Sequence, residues 1–163
     1  MKRLLFPLLA ALALPTTSIA GYLSDIDLMT DETRIKLYLD SATKTPNSIG
    51  DLKPAELWIR CNIKDQKTQK VQAFVTTPTY NADNEKVGLR WDSGTPVVER
   101  WQKSTDSSSL FVKNPKEFIK KLYESNTLVF QWKPYSTIAA AVKFDLEEIK
   151  EDITKARENG CDF

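Results

Sequence analysis

The chain has 163 residues, with 23 lysines and arginines against 22 aspartates and glutamates, no histidine and two cysteines. Near-neutral charge without a long block of one sign removes the usual electrostatic motive for binding nucleic acid or an anionic membrane surface. Without histidine there is no Ser-His-Asp or Cys-His machinery, and two thiols cannot close a structural zinc site, so neither metal nor cofactor is expected.

The N-terminus opens with Lys2 and Arg3, continues through an apolar stretch from Leu4 to Leu14, and reaches the small residues of Ser18-Ile19-Ala20. That order predicts a cleaved signal peptide over residues 1–20, with cleavage after Ala20. Pro7 and Pro15 interrupt the apolar run, which is shorter than the roughly 20 residues a membrane span requires. No stable membrane span is therefore expected after cleavage. Residues 21–163 remain as a single domain, because no Pro/Gly-rich linker, repeat or low-complexity tract divides them.

Alternation of apolar and polar residues predicts strands over Arg34–Asp40, Glu56–Ile63, Val71–Thr77 and Val87–Asp92, with a weaker strand over Val97–Trp101. In the second of these Leu57, Ile59, Cys61 and Ile63 share one face, which points Cys61 into the core and leaves Trp58 on the other face. The segment Ser104–Ser109 reads as a polar loop. At Asn114-Pro115-Lys116-Glu117 the period changes: a capping residue, proline at the first helical position and an acid three residues after the cap predict a helix. Its apolar stripe is Phe118, Ile119, Leu122 and Tyr123. Two further strands are expected over Thr127–Lys133 and Ala139–Phe144. Asp145 with Glu148 repeats the capping spacing before a last helix lined by Leu146, Ile149, Ile153 and Ala156 and stopped at Gly160. Without regular βαβ alternation, this order predicts an α+β domain: a mostly antiparallel sheet or sandwich with two helices packed on it.

Cys61 and Cys161 form an even pair in a chain that reads as exported, so one disulfide is expected between them. The bond would close a loop of about 100 residues, worth on the order of 4.7 kcal/mol in the chain-entropy account.

The sequence carries no dinucleotide-binding glycine motif, no phosphate-cradling loop and no nucleophile elbow. Only carboxylate chemistry stays open, through neighbours such as Asp25/Asp27, Asp31/Glu32 and Glu147/Glu148, which also read as solvated charges and helix-start acids. No catalytic residue is assigned. The four tryptophans, Trp58, Trp91, Trp101 and Trp132, read mainly as packing residues, with sugar stacking as the alternative use.

In order and spacing, the landmarks Met29-Thr30-Asp31, Leu57-Trp58-Ile59-Arg60-Cys61, Leu89-Arg90-Trp91-Asp92, Trp101-Gln102-Lys103-Ser104-Thr105-Asp106 and Phe144-Asp145-Leu146, closing on Cys161 and Phe163, resemble the VasI-like proteins. That family, also called TagO, is encoded with type VI secretion systems, and the resemblance runs across nearly all of residues 21–163. It implies an exported, cysteine-paired protein without an established enzymatic activity. Two departures stand out: Glu147-Glu148 follows Phe-Asp-Leu where a small or glycine-containing turn is expected, and the terminal aromatic is Phe163 in place of tryptophan.

The function expected from these readings is an exported, non-enzymatic accessory or interaction protein of the bacterial envelope, periplasmic or secreted, whose partner is an envelope or secretion-apparatus protein. The alternatives are a periplasmic glycan-binding domain and a carboxylate-dependent hydrolase of envelope glycans. For the binding surface, the strand period puts Arg90 and Asp92 opposite Val87, Leu89 and Trp91. An antiparallel return is expected to bring Trp101, Ser104 and Asp106 near that same surface. The competing reading of these residues is an ion pair, Arg90 to Asp92 or Arg90 to Asp106, that only pins the loop.

Overall fold

The computed structural model describes residues 18–82, 86–135 and 138–163. Its strands are β1 (Ala20–Asp27), β2 (Glu32–Pro46), β3 (Leu52–Lys64), β4 (Lys67–Thr76), β5 (Lys86–Trp91), β6 (Val97–Arg100), β7 (Gln102–Lys103), β8 (Ser109–Phe111), β9 (Thr127–Trp132) and β10 (Ala140–Asp145). Its helices are α1 (Pro115–Glu124) and α2 (Glu147–Glu158). Every strand pair is antiparallel, in a six-stranded sheet of order β1-β2-β3-β4-β8-β7 and a four-stranded sheet of order β10-β9-β5-β6. The domain is α+β, as the alternating runs followed by two helical periods require.

Alternation builds the core directly. Ile35, Leu37 and Leu39 of β2 sit beside Cys61, Ile59 and Leu57 of β3, and Val75 and Ala73 of β4 continue the rows, all buried. Against this face lie α2, over β1 and β2, α1, over β4, and β10, beside β2. The helices contribute Phe118, Ile119 and Leu122 from α1 and Ile149, Ile153 and Ala156 from α2. The second sheet adds Val87, Leu89, Leu128, Phe130, Val142 and Phe144. Lys143 N–H donates to Thr43 Oγ1 at 2.8 Å, tying β10 to β2 where the two sheets meet.

Two aromatic arrays run through the molecule. An inner spine passes from Trp91 to Phe118, Trp101, Phe130 and Trp132, with ring centroids 5.3 to 5.8 Å apart. An outer ladder crosses four strands on the solvent side of the large sheet: Tyr38, Trp58, Phe74 and Phe111 are register partners in β2, β3, β4 and β8. Their rings pack on one another at 4.7 to 6.4 Å, and the Arg60 guanidinium lies over Phe74. Gly21 sits at the same row of β1, where the Tyr38 ring leaves no room for a Cβ.

Several local expectations need correction. The sequence reading left out β1, whose mixed run Gly21-Tyr22-Leu23-Ser24-Asp25 has no clean alternation because it is an edge strand exposed over Leu23 to Ile26. The polar stretch Ser104–Ser109 is a turn between two very short strands, β7 and β8, and Ser109 itself belongs to β8. Asp145 does not cap α2: it is the last residue of β10, and Leu146 occupies the N-cap position without a side-chain cap bond. Asn114 does stand at the N-cap of α1 with Pro115 following, yet its side chain makes no cap bond. The segment read as a signal peptide lies, over residues 1–17, outside the described residues. Of the rest, Ser18 is buried, the Ile19 carbonyl accepts from Asp40 N–H at 2.8 Å, and Ala20 opens β1.

Cys61 and Cys161 form a disulfide with a Cα–Cα distance of 6.1 Å across a sequence separation of 100. Cys61 is inward on β3, as its alternation demands, and Cys161 follows the αL glycine Gly160 that ends α2. Further bonds fasten the tail: Asp162 N–H donates to Thr68 Oγ1 at 2.9 Å, Lys116 pairs with Asp162 at 2.5 Å, and Arg157 Nε donates to the Phe163 carbonyl at 2.7 Å. A disulfide inside the core fits an oxidising, extracytoplasmic compartment. Among the described residues no helix is long and apolar enough to cross a membrane.

Candidate functional site

The five residues singled out from sequence do not form one surface. In the β5–β6 pairing Leu89 faces Val97 and Lys86 faces Arg100, so Trp101 follows beside the beginning of β5 while Asp92 lies beyond its end. Trp101 then carries the chain from the small sheet to the large one, and its side chain is enclosed between the layers, 1% exposed. Its indole N–H donates to Glu99 at 2.9 Å. This corrects the expectation that an antiparallel return gathers Trp101, Ser104 and Asp106 around Arg90 and Asp92. The turn is antiparallel, but the chain changes sheets at Trp101.

Arg90 is exposed on β5. Asp92 works on the backbone: its Oδ1 accepts from Asn126 N–H and Thr127 N–H, both at 2.9 Å, stapling the α1–β9 connection to the end of β5. Those two donors hold the Asp92 carboxyl below its ordinary pKa. Its φ of +48° is a left-handed conformation that aspartate tolerates better than most residues. Asp92 therefore pins a loop, through main-chain amides and not through an arginine.

Ser104 and Asp106 build the β7–β8 turn. Ser104 Oγ donates to Asp106 Oδ1 at 2.5 Å and accepts from Ser109 N–H at 2.9 Å, while Ser108 N–H donates to Asp106 at 3.1 Å. The Ser104 hydroxyl, then the Ser108 amide, hold the Asp106 carboxyl below its ordinary pKa. This turn forms one wall of a larger feature.

At the end of the sandwich where β2 finishes and β3 begins lies a cleft of about 810 Å³. Four segments surround it: Thr45 to Ser48 of the β2–β3 connection, Thr79 to Asn81 after β4, Lys103 with Asp106 and Ser107 at the β7–β8 turn, and Trp132, Pro134, Tyr135 and Ile138 to Ala140 from the end of β9 to the start of β10. Trp132, the last member of the aromatic spine, is buried and donates its indole N–H to Thr79 Oγ1 at 3.3 Å. At the mouth, Tyr80, Tyr135 and Ile138 are 64%, 75% and 88% exposed, and Ile49 and Leu52 of the neighbouring hairpin are exposed as well. Clustered apolar surface around a concavity is what an interaction or ligand site offers, whereas scattered exposed apolar residues are ordinary.

The polar groups around this cleft mostly serve the walls themselves. Asn81 Nδ2 donates to Thr77 Oγ1 at 3.0 Å and to the Ser107 carbonyl at 2.8 Å. Asn47 Oδ1 accepts from Ile49 N–H at 3.0 Å and Asp51 N–H at 2.9 Å, closing the β2–β3 turn. Tyr135 N–H donates to the Tyr80 carbonyl at 2.9 Å beside the isolated Asn81–Pro134 bridge, which sets the two tyrosines on adjacent loop segments. Thr45 Oγ1 is buried without a hydrogen-bond partner. The walls are thus fixed by internal bonds, and what they present is apolar surface and phenol hydroxyls. Sequence reading found Asp106 but missed Tyr80, Tyr135 and Ile138. The available signal was three large apolar residues in the turn-rich segments around Pro78 and Pro134, where a loop has no core to fill.

The carboxylate neighbours considered for hydrolysis lie elsewhere. Asp25 pairs with Lys36 at 3.1 Å, Asp27 pairs with Arg34, and Glu147 pairs with Lys150 at 2.8 Å on the first turn of α2. Among the residues lining the cleft Asp106 is the one carboxylate. Among the described residues no group of three or more cysteines, aspartates or glutamates is placed to hold a metal ion.

No family model matches this chain, and no curated protein matches it. Among solved structures the chain is similar to the crystal structure of invasion associated protein B from Bartonella henselae, at 8% identity and a TM-score of 0.47, over 84% of this chain and 92% of that one.

Proposed function

We propose that this protein is an exported, non-enzymatic accessory or interaction protein of the bacterial envelope, and that its partner site is the end cleft. The observation that carries the reading is the contrast at that cleft: exposed Tyr80, Tyr135 and Ile138 stand over Trp132, on walls whose polar groups are engaged with one another. Pre-fixed walls lower the ordering cost of association, and tyrosines supply amphipathic contact area at small entropic cost. A hydrolase of glycans uses two carboxylates across its substrate, and a cleft with one carboxylate, already committed to Ser104 and Ser108, favours binding over catalysis. The outer ladder favours sugar stacking less than its composition suggests, because its rings pack face to face on one another.

The proposal extends to a role like that of the VasI-like proteins of type VI secretion, on the resemblance of the ordered landmarks from Met29 to Phe163. A source genome with no type VI secretion genes would remove that link and leave the envelope role untouched. The test of the cleft is recovery of envelope proteins by the purified protein, compared among the parent, Tyr80→Ser/Tyr135→Ser and the surface control Arg90→Ala. Loss of a discrete partner in the tyrosine variant alone supports the reading. Equal recovery by all three overturns it, and sedimentation with cell-wall material in place of protein recovery would transfer the cleft to glycan binding.

A further inference from the structure

The processing site predicted from sequence lies inside the folded sheet. Cleavage after Ala20 hydrolyses the Ala20–Gly21 peptide bond: water completes a carboxyl on Ala20, and the amine stays on Gly21. A signal peptidase finds such a bond by small residues at the first and third positions before it, here Ala20 and Ser18. Both belong to the edge of the large sheet. Ala20 is the register partner of Leu39, and Gly21 of Tyr38. One residue earlier the Ile19 carbonyl accepts from Asp40 N–H at 2.8 Å, so the ladder continues past the start of β1. Side chains alternate between the two faces of a strand, which puts Ser18 and Ala20 on the same one. That face is the inner one: Ser18 is 8% exposed and Ala20 packs against the core, whereas Ile19 between them is 58% exposed. The two side chains a peptidase reads are turned inward, and the one its pattern leaves free is turned out.

The rest of β1 holds these residues in place. Gly21 lies so close against the Tyr38 ring that a Cβ there would stand 2.4 Å from it. Further along, Lys36 pairs with Asp25 at 3.1 Å, Arg34 pairs with Asp27, and Asp27 Oδ1 accepts from Met29 N–H at 2.9 Å to fix the β1–β2 turn. A two-stranded hairpin alone is marginal in water, so this pairing becomes firm when β3 joins β2 and Leu37 and Leu39 are buried. From then on proteolysis of the segment has to pass through a transiently opened state.

From this arrangement we infer that folding of β1 onto β2 competes with removal of the leader: processing after Ala20 has to precede the pairing, and a chain that folds first keeps residues 1–20. The inference rests on the reading of the protein as exported. It makes the edge strand a timing device. The same residues are peptidase substrate while the chain is extended and part of the sheet once β3 has arrived. The processed chain gives up the bond from Asp40 N–H to the Ile19 carbonyl but keeps the pairs from Gly21–Tyr38 to Asp27–Glu32.

Order of addition tests this on the full chain. Precursor diluted from urea directly into detergent micelles that contain signal peptidase is compared with precursor allowed to fold, its disulfide closed, before the peptidase is added. Intact mass identifies the product. The chain met unfolded should be cut after Ala20, and prefolding should slow the cut by roughly tenfold or more. Asp27→Ala/Arg34→Ala loosens the β1–β2 turn away from the cut. It should raise the prefolded rate severalfold and leave the other rate unchanged. Equal rates in the two orders, or a prefolded rate that the variant leaves where it was, overturn the inference while the exported reading stands. If neither order is cut after Ala20, the leader reading falls and the inference with it.

Discussion

One end of the sandwich is clamped and the other is open. At the clamped end Cys61 near the close of β3 is joined to Cys161, and Thr68, Lys116 and Arg157 each fasten the last residues of the chain. At the cleft end no covalent tie occurs among the described residues, and hydrogen bonds within and between short loops do the holding. Covalent clamping fixes the tail and the end of α2 to β3 whatever the loops around them do. Loops that present Tyr80 and Tyr135 to solvent instead need a fixed shape without having their apolar surface consumed.

The largest expected effect comes from releasing the clamp. Cys61→Ala/Cys161→Ala removes the closure of a 100-residue loop, which the chain-entropy account puts at about 4.7 kcal/mol. Urea denaturation should show that loss. Hydrogen exchange should show protection falling first in α2 and the tail, and earlier loss in the cleft loops would reverse the comparison. Next comes the spine where it reaches the open end. Trp132→Ala should cost about 3 kcal/mol or more, since the ring is buried against Phe130, and it should also deform the cleft floor. Thermal unfolding with partner recovery measures both consequences.

Two acid-sensitive latches stand apart in the molecule. Asp92, at the end of β5, and Asp106, at the cleft, are both held below the ordinary carboxylate pKa, the first by backbone amides and the second chiefly by a hydroxyl. A carboxyl whose folded pKa is depressed contributes stability that is present above its unfolded value, about 3.9, and is lost as pH falls through the folded value. Asp92→Asn and Asp106→Asn should each flatten the acid limb of stability against pH. Only Asp106→Asn should loosen the cleft, read as weaker partner binding at neutral pH. Asp40 has the opposite sign, because burial and then Glu56 raise its pKa, so its favourable contribution is lost as pH rises through the folded value. Asp40→Asn should therefore raise the melting temperature slightly near neutrality.

Fold and site were legible to different depths, for a physical reason. Strands buried on one face advertise themselves by alternation, so Ile35-Leu37-Leu39 and Leu57-Ile59-Cys61 could be placed, and with them the inward Cys61. Edge and crossover elements carry no such period. β1 is exposed through its middle, and β7 and β8 are too short to show one. Reading β5 and β6 as a hairpin was sound, but nothing local to Trp101 announces that the chain there leaves one sheet for the other. That crossing buries Trp101 and separates Asp92 from Asp106, which is why the expected Arg90 surface dissolved. The cleft draws its residues from four loops brought together only by the packing of two sheets, and Tyr80 and Tyr135 are neighbours in space across more than fifty residues of sequence.

The smallest expected effect on stability belongs to the rim. Tyr80→Ser/Tyr135→Ser removes exposed side chains and should shift folding by no more than about 0.5 kcal/mol per site. The same rim therefore provides the most direct measurement of the central claim. A photoreactive phenylalanine analogue placed at Tyr135, and in parallel at the equally exposed Val98 on the edge strand β6, would be irradiated in intact cells. A cleft that binds a protein partner predicts a discrete adduct from position 135 and none from position 98. No adduct at 135, or the same adducts from both positions, would contradict it.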